Sequence, residues 1–152
     1  MAQTETTSRK TGKCLCGAVR FVSDKVPSTA GICHCEQCRR WTGLALMGVT
    51  IPTDTITWEG AEHIGRIQSS EWAERAWCTK CGTGLFYRVT ADNEWSGGTE
   101  IPVGLFDDPN GFELKNEIFI DQKPDGFAFA GDGRKEMTRA DCIKLFSQLD
   151  SE

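Results

Sequence analysis

A mostly β fold of antiparallel strands with one short C-terminal helix is what this sequence predicts. Three observations carry that expectation. Short apolar runs alternate with polar residues along nearly the whole chain, sixteen glycines break those runs into turn-bounded pieces, and helical periodicity is confined to the C-terminal end.

The candidate strands run, in chain order, over residues 18–23, 46–51, 55–58, 64–69, 71–77, 85–90, 100–104 and 117–120. The helix starts at Thr138-Arg139-Ala140-Asp141, where a threonine and an acid three residues on resemble a capping box. Cys142, Ile143, Leu145, Phe146 and Leu149 follow at the spacing of one apolar helix face. Residues 1–10 are polar and are expected to form a disordered tail, leaving 11–150 as one domain. A chain of 152 residues, 39% hydrophobic and 26% charged, is long enough to bury one core.

Net charge is −5, and the basic residues are scattered, in blocks no longer than Arg39-Arg40 or Arg134-Lys135. That distribution lacks the basic patch needed to bind nucleic acid. No run of about 18 apolar residues exists, so no membrane span is expected. The N-terminal stretch also lacks the apolar core of a secretory signal, which makes a cytoplasmic location the expectation. In a reducing compartment, eight cysteines indicate metal or redox chemistry rather than disulfides.

Seven of the eight cysteines fall into three clusters: Cys14 and Cys16; Cys33, Cys35 and Cys38; Cys78 and Cys81. Zinc favours thiolates in a tetrahedron. Residues two apart on an extended segment project to the same side, so Cys14 and Cys16 can grip one ion. Cys78 and Cys81, followed by Gly82, have the form of a tight knuckle in which the glycine lets the chain turn. These two pairs supply four thiolates across about sixty residues, enough for a closed structural site. The middle cluster then has three protein ligands and an open fourth position, the arrangement of a catalytic zinc. Spacing alone leaves an alternative, in which His34, His63 or Cys142 completes the second site and makes it structural too. His34 lies between two ligand cysteines and is expected to point away from them. His63 reads as a surface residue in a polar turn, and Cys142 as a small hydrophobe on the helix's apolar face.

The segments Gly12 to Phe21, Cys33 to Arg40 and Cys78 to Phe86 carry the motifs GxCxCGAVRF, CxCxxCRR and CxxCGTxLF in that order. In this the chain resembles the glutathione-dependent formaldehyde-activating enzyme family, which also contains the centromere protein V type domain. Val103-Gly104-Leu105-Phe106-Asp107-Asp108-Pro109 and Glu117-Ile118-Phe119-Ile120 resemble the family's later strands, with Glu117 where a histidine often stands. The resemblance covers residues 10–131. It implies a β-tent of antiparallel sheets stapled by two zinc ions per chain, within a single zinc-binding domain. It also implies the same partition of ligands: Cys14, Cys16, Cys78 and Cys81 on a structural zinc, and Cys33, Cys35 and Cys38 on a catalytic one.

The chemistry that follows is that of a carbon–sulfur lyase or synthase. A small thiol such as glutathione, activated as thiolate at the three-cysteine zinc, attacks an aldehyde such as formaldehyde to give an S-hydroxymethyl adduct. Three anionic ligands weaken Lewis acidity and keep a bound sulfur nucleophilic, which favours thiol chemistry over hydrolysis. Arg39 and Arg40 follow the ligands and are the candidate contacts for a substrate carboxylate, and Trp41 is a candidate pocket wall. Two other readings remain at this point: a non-catalytic zinc-stapled module that binds a partner or carries a thiol, and a four-cysteine iron or iron–sulfur protein.

Overall fold

Period-two burial organises the strands, as a sheet with one covered face requires. In the computed structural model of the chain, residues 6–147 are described. Within them, β1 (Thr7–Lys13), β2 (Arg20–Pro27) and β5 (Ile56–Glu59) form a three-stranded antiparallel sheet in the order β1-β2-β5. An eight-stranded sheet contains the rest: β3 (Thr29–Cys33), β4 (Leu46–Pro52), β6 (Ile64–Gln68), β7 (Ala73–Cys78), β8 (Gly84–Val89), β9 (Gly98–Pro102), β10 (Glu113–Ile118) and β11 (Lys135–Met137). Its order is β11-β10-β3-β4-β9-β8-β7-β6. The large sheet is mixed, because β10 runs parallel to both β3 and β11, while its other pairs are antiparallel.

The small sheet covers one face of the large one. Phe21 and Val26 of β2 pack on Val49 and Ile51 of β4 and on Ile101 of β9. A second cluster joins Cys14 and Val19 to Ala76, Cys78, Leu85 and Phe86. Trp58 of β5 touches both clusters, its ring 5.5 Å from Phe21 and 5.4 Å from Phe86. Burying each of these large side chains contributes roughly 1.5–3 kcal/mol.

Every candidate strand has a counterpart, but three strands and a helix lie outside the expectation. β1 begins at Thr7, so pairing starts inside the segment expected to be a disordered tail. Its sequence TSRKTGK is polar, and only Gly12 is buried, so the ladder with β2 holds it rather than an apolar pattern. β3 is short and rich in small residues, and β11 has three residues. The helix α1 (Glu36–Thr42) spans seven residues and buries only Cys38, so it shows no apolar stripe to a periodicity reading. The expected strand at 117–120 is displaced toward the N-terminus as β10, because Phe119 takes a left-handed φ of 55° and turns the chain out of the sheet.

The C-terminal helix α2 (Arg139–Leu145) is capped as predicted, with Thr138 and Asp141 exchanging hydrogen bonds in a capping box. Cys142 is buried as expected, whereas Leu145 is exposed, and Leu149 lies outside the described residues. Among the described residues, no helix is long and apolar enough to cross a membrane.

Gly60 ends β5 with a φ of 76°, and a Cβ there would lie 1.8 Å from the backbone oxygen of Ala18, beside the first cysteine pair. Neither the dihedral nor the backbone contact can relax cheaply. Gly60→Ala is therefore expected to destabilise the protein by about 2 kcal/mol or more in urea unfolding. A loss within about 0.5 kcal/mol of zero would mean that the β5 turn is not seated on the β1–β2 connection as described.

Candidate metal centres

Two groups of cysteines converge among the described residues, and each can hold a metal ion. In the first, the sulfurs of Cys14, Cys16, Cys78 and Cys81 all lie within 4.8 Å of one another. Cys14 and Cys16 sit on the β1–β2 connection, Cys78 ends β7, and Cys81 sits on the turn into β8. Each pair is shaped by a tight turn closed by a left-handed glycine. Gly17 has φ 78° and donates to the Cys14 carbonyl at 3.1 Å, and Gly82 has φ 80° and donates to the Cys78 carbonyl at 2.8 Å. The Val19 amide donates to the Cys14 sulfur at 3.4 Å, and the Cys81 sulfur lies 3.1 Å from the Thr83 hydroxyl. That contact leads the causes that bring the Cys81 thiol down to about 5.

The sulfur separations test the fit to metal. A tetrahedron with bonds of about 2.3 Å has edges of about 3.8 Å. Cys14 to Cys16 is 3.7 Å and Cys16 to Cys78 is 3.9 Å. The donor set fits a tetrahedral, thiolate-loving ion such as zinc.

The second group is Cys33, Cys35 and Cys38, also within 4.8 Å of one another. Cys33 ends β3, and Cys35 is the N-cap of α1, its sulfur accepting from the Cys38 amide at 3.3 Å. The helix that periodicity missed is therefore what turns Cys38 back toward Cys33. At this spacing the three thiols act on one another's acidity. The bond from Cys33, then that from Cys38, brings Cys35 down to about 3, while the bond to Cys35 pushes Cys33 well above the ordinary thiol range. Three sulfurs at this spacing cannot all ionise unless a cation joins them. No fourth His, Cys, Asp or Glu belongs to the group among the described residues.

His34 points away from the sulfurs, as expected, and is fully buried. Its Nε2 lies 2.9 Å from Glu117 Oε1, and Arg134 Nε donates to Glu117 Oε2 at 2.7 Å. Arg134 also donates to the carbonyls of Phe129 and Ala130, and the His34 ring lies about 6 Å from Phe127 and Phe129. Burial opposes ionisation of Glu117, but the bonds from His34 and Arg134 outweigh it and hold the carboxyl below its ordinary value. This chain therefore locks the ligand segment to β10 with a buried ion-paired network at Glu117. His63 is half-buried, and its carbonyl accepts from Thr79 between the cysteines of the third cluster.

The second group opens on a cavity of about 710 Å³. Arg39 and Arg40, the expected substrate contacts, do not line it, and Arg40 instead pairs with Glu36 one turn away on α1. The cations that do line the cavity are Arg75, Lys115 and Arg139. Arg75, Tyr87, Glu100 and Thr50 form one row across four strands, each opposite the next in the ladder, and all four face the cavity. Thr50 donates to Glu100 at 2.5 Å, and Glu100 lies flat over Gly48, where a Cβ would meet its Oε1 at 2.5 Å. Burial pushes the Glu100 carboxyl up, against the Thr50 bond, and pushes the Tyr87 hydroxyl up to about 12. Composition gives no hint of this row. The one legible sign is Arg75 two residues after buried Ala73, a cation in the phase of an apolar strand face. Cys142 lines the same cavity but stands outside the cysteine group, and Trp41 stacks on Arg75 with the guanidinium carbon 4.9 Å from the ring centre.

Comparison with known proteins follows the cysteine motifs. Residues 9–122 match the family described as glutathione-dependent formaldehyde-activating enzyme. A Schizosaccharomyces pombe protein named as an uncharacterized lyase is 32% identical over 120 residues, which is 78% of this chain and 84% of that protein. A Halomonas elongata protein whose name carries the same enzyme description as the family is 32% identical over 83 residues, covering 49% of this chain and 53% of its own length. A crystal structure of a Rhodobacter sphaeroides protein shares the fold with a TM-score of 0.52 at 19% identity, covering 84% of this chain and 99% of that one.

The buried network at Glu117 gives a direct test. The Glu117 and Arg134 side chains are 3% and 7% exposed, so removing the carboxylate strands a buried guanidinium. Glu117→Ala is expected to cost about 3–5 kcal/mol in urea unfolding of the metal-loaded protein. Glu117→Gln should cost less, since its amide oxygen still accepts one bond. A cost below about 1 kcal/mol for the alanine variant would show that the network does not anchor the ligand segment.

Proposed function

This chain belongs to the glutathione-dependent formaldehyde-activating enzyme family, and from that premise we propose that it is a zinc-dependent carbon–sulfur lyase or synthase acting on a small thiol and an aldehyde. The observation that carries the proposal is the contrast between its two cysteine groups. One has four sulfurs at tetrahedral spacing, and the other has three and opens on a cavity large enough for a small peptide thiol. In this reading Cys14, Cys16, Cys78 and Cys81 hold a structural zinc, and Cys33, Cys35 and Cys38 hold the catalytic one. A fourth protein ligand at the second centre would favour the non-catalytic module, and none joins it among the described residues.

Zinc at a three-thiolate centre supplies one thing, a lowered pKa for a thiol bound there, so that thiolate is present at neutral pH. The chain's own residues do the rest. The α1 cap and the His34–Glu117–Arg134 network fix the ligand segment. Trp72, Trp95 and Phe146 give the cavity apolar walls. Lys115 and Arg139 line the cavity as cations for the carboxylates of a thiol such as glutathione, the role that sequence alone gave to Arg39 and Arg40. The reaction joins thiol sulfur to aldehyde carbon, the carbonyl oxygen takes up a proton, and the S-hydroxymethyl adduct results. The reverse is the lyase direction. Formaldehyde is the aldehyde this reading favours, and a reducing cytoplasm is the compartment that suits seven clustered thiolates.

Metal content is the first check. Freshly purified protein is expected to hold about two zinc ions per chain. If one is found, adding zinc and re-measuring should restore the second, and failure to do so would overturn the partition. Thermal melts give a second check. Cys78→Ser should lower the midpoint far more than Cys35→Ser, because Cys78 joins segments of both sheets while Cys35 lies in a local loop. The reverse ranking would mean that the roles of the two centres are exchanged. Finally, in cobalt-substituted protein, glutathione or mercaptoethanol should alter the sulfur-to-cobalt charge-transfer band. No change at millimolar thiol would remove the chemical basis of the enzyme reading.

A further inference from the structure

Arg75 is a buried cation with unfinished hydrogen bonding. It is 5% exposed, and its Nε and Nη1 atoms have no partner. Among the described residues, no carboxylate forms a salt bridge with it. Its charge is held by other means. The guanidinium carbon lies 4.9 Å from the centre of the Trp41 ring and 5.0 Å from that of Tyr87, and Nη2 lies 3.7 Å from the Cys38 sulfur. A buried, unpaired guanidinium is costly unless an anion completes it. The other buried arginine of this region, Arg134, has its carboxylate in Glu117. Arg75 has none, and it lines the cavity.

The charge balance at the neighbouring cysteines points the same way. Three thiolates around a divalent cation already carry a net negative charge. A nearby positive charge therefore favours an anion over a neutral molecule as the fourth ligand. We propose that Arg75 selects for an anion at the Cys33/Cys35/Cys38 centre, its Nε–H and Nη1–H donating to the bound ligand. This rests on the reading of that centre as a metal site with one open position. Arg75 acts here as a positioning residue, set between two rings so that its planar fork meets the ligand in one orientation.

The test compares anionic and neutral ligands on cobalt-substituted protein, with dissociation constants read from the visible spectrum. The probes are mercaptoethanol, which binds as thiolate, thiocyanate, an anion without a thiol, and neutral imidazole. Arg75→Met keeps length and stacking but removes charge. It should weaken mercaptoethanol and thiocyanate by at least about tenfold and leave imidazole within about twofold. Arg75→Lys should recover part of the loss. Equal weakening of all three probes would assign Arg75 a role in shape alone and overturn the proposal, as would no weakening of any. Should Arg75→Met fail to take up cobalt, Arg75→Gln carries the same comparison. Loss of cobalt from both, with Arg75→Lys retaining it, would make Arg75 a metal-retention residue and equally overturn the inference. The thiol reading fails separately: if wild-type protein binds thiocyanate but no thiol, the proposed reaction falls while the Arg75 comparison is still read with thiocyanate.

Discussion

The approach of the Cys16 sulfur to that of Cys78, at 3.9 Å, is the contact on which the two sheets depend. Cys16 belongs to the connection between two strands of the small sheet, and Cys78 ends a strand of the large one. Four thiolates this close repel one another by several kcal/mol per pair at the dielectric of a protein surface. A cation at their centre would turn that repulsion into a crosslink closing a loop of about sixty residues. The packing around it is consistent with a fixed joint. Cys14 and Cys78 are buried in the same cluster as Val19, Leu85 and Phe86, and Trp58 carries that cluster over into the main core.

The second cysteine group is built on the opposite principle. Its three sulfurs come from six consecutive residues, so closing it brings no distant segments together. What holds it in place is the rest of the fold. β3 ends at Cys33 in parallel register with β10, and Glu117 on β10 reaches His34 between the ligands. Placing a buried ion-paired network under the three-cysteine loop costs desolvation, and such networks contribute orientation more than stability. The arrangement leaves the sulfurs facing the cavity while the backbone behind them is fixed.

Much of this was legible in the sequence, and the reasons are local ones. Cysteine spacing reports which sulfurs can share an ion because two-residue and three-residue spacings are short enough to fix geometry without knowledge of the fold. The capping box at Thr138 and Asp141 and the eight alternating strands are legible for the same reason. What was hidden depends on partners far along the chain. β1 is polar and exists because β2 pairs with it, and α1 is too short to show a period. The exchange of Arg39 and Arg40 for Arg75, Lys115 and Arg139 as cavity cations has the same origin. Adjacency to a ligand in sequence put the first pair near the metal, but the helix turns Arg40 outward to Glu36, whereas strand pairing brings Arg75 to Cys38 from thirty-seven residues away.

The two faces of the large sheet differ in what they contribute to cohesion. Along β4, β7, β8 and β9, Val49, Ile51, Ala76, Phe86 and Ile101 belong to the hydrophobic clusters, while Thr50, Arg75, Tyr87 and Glu100 alternate with them and face the cavity. On that second face Gly31 and Gly48 stand opposite each other, and Asn116 and Glu100 lie where their side chains would be. A face surfaced with glycine and polar groups leaves room for a ligand but contributes little apolar burial. The core is therefore confined to one side of the sheet, under a cover of only three strands. A sheet that gives much of one face to a cavity has to find cohesion elsewhere, and the four converging sulfurs between its edge region and the small sheet are where a metal ion would provide it.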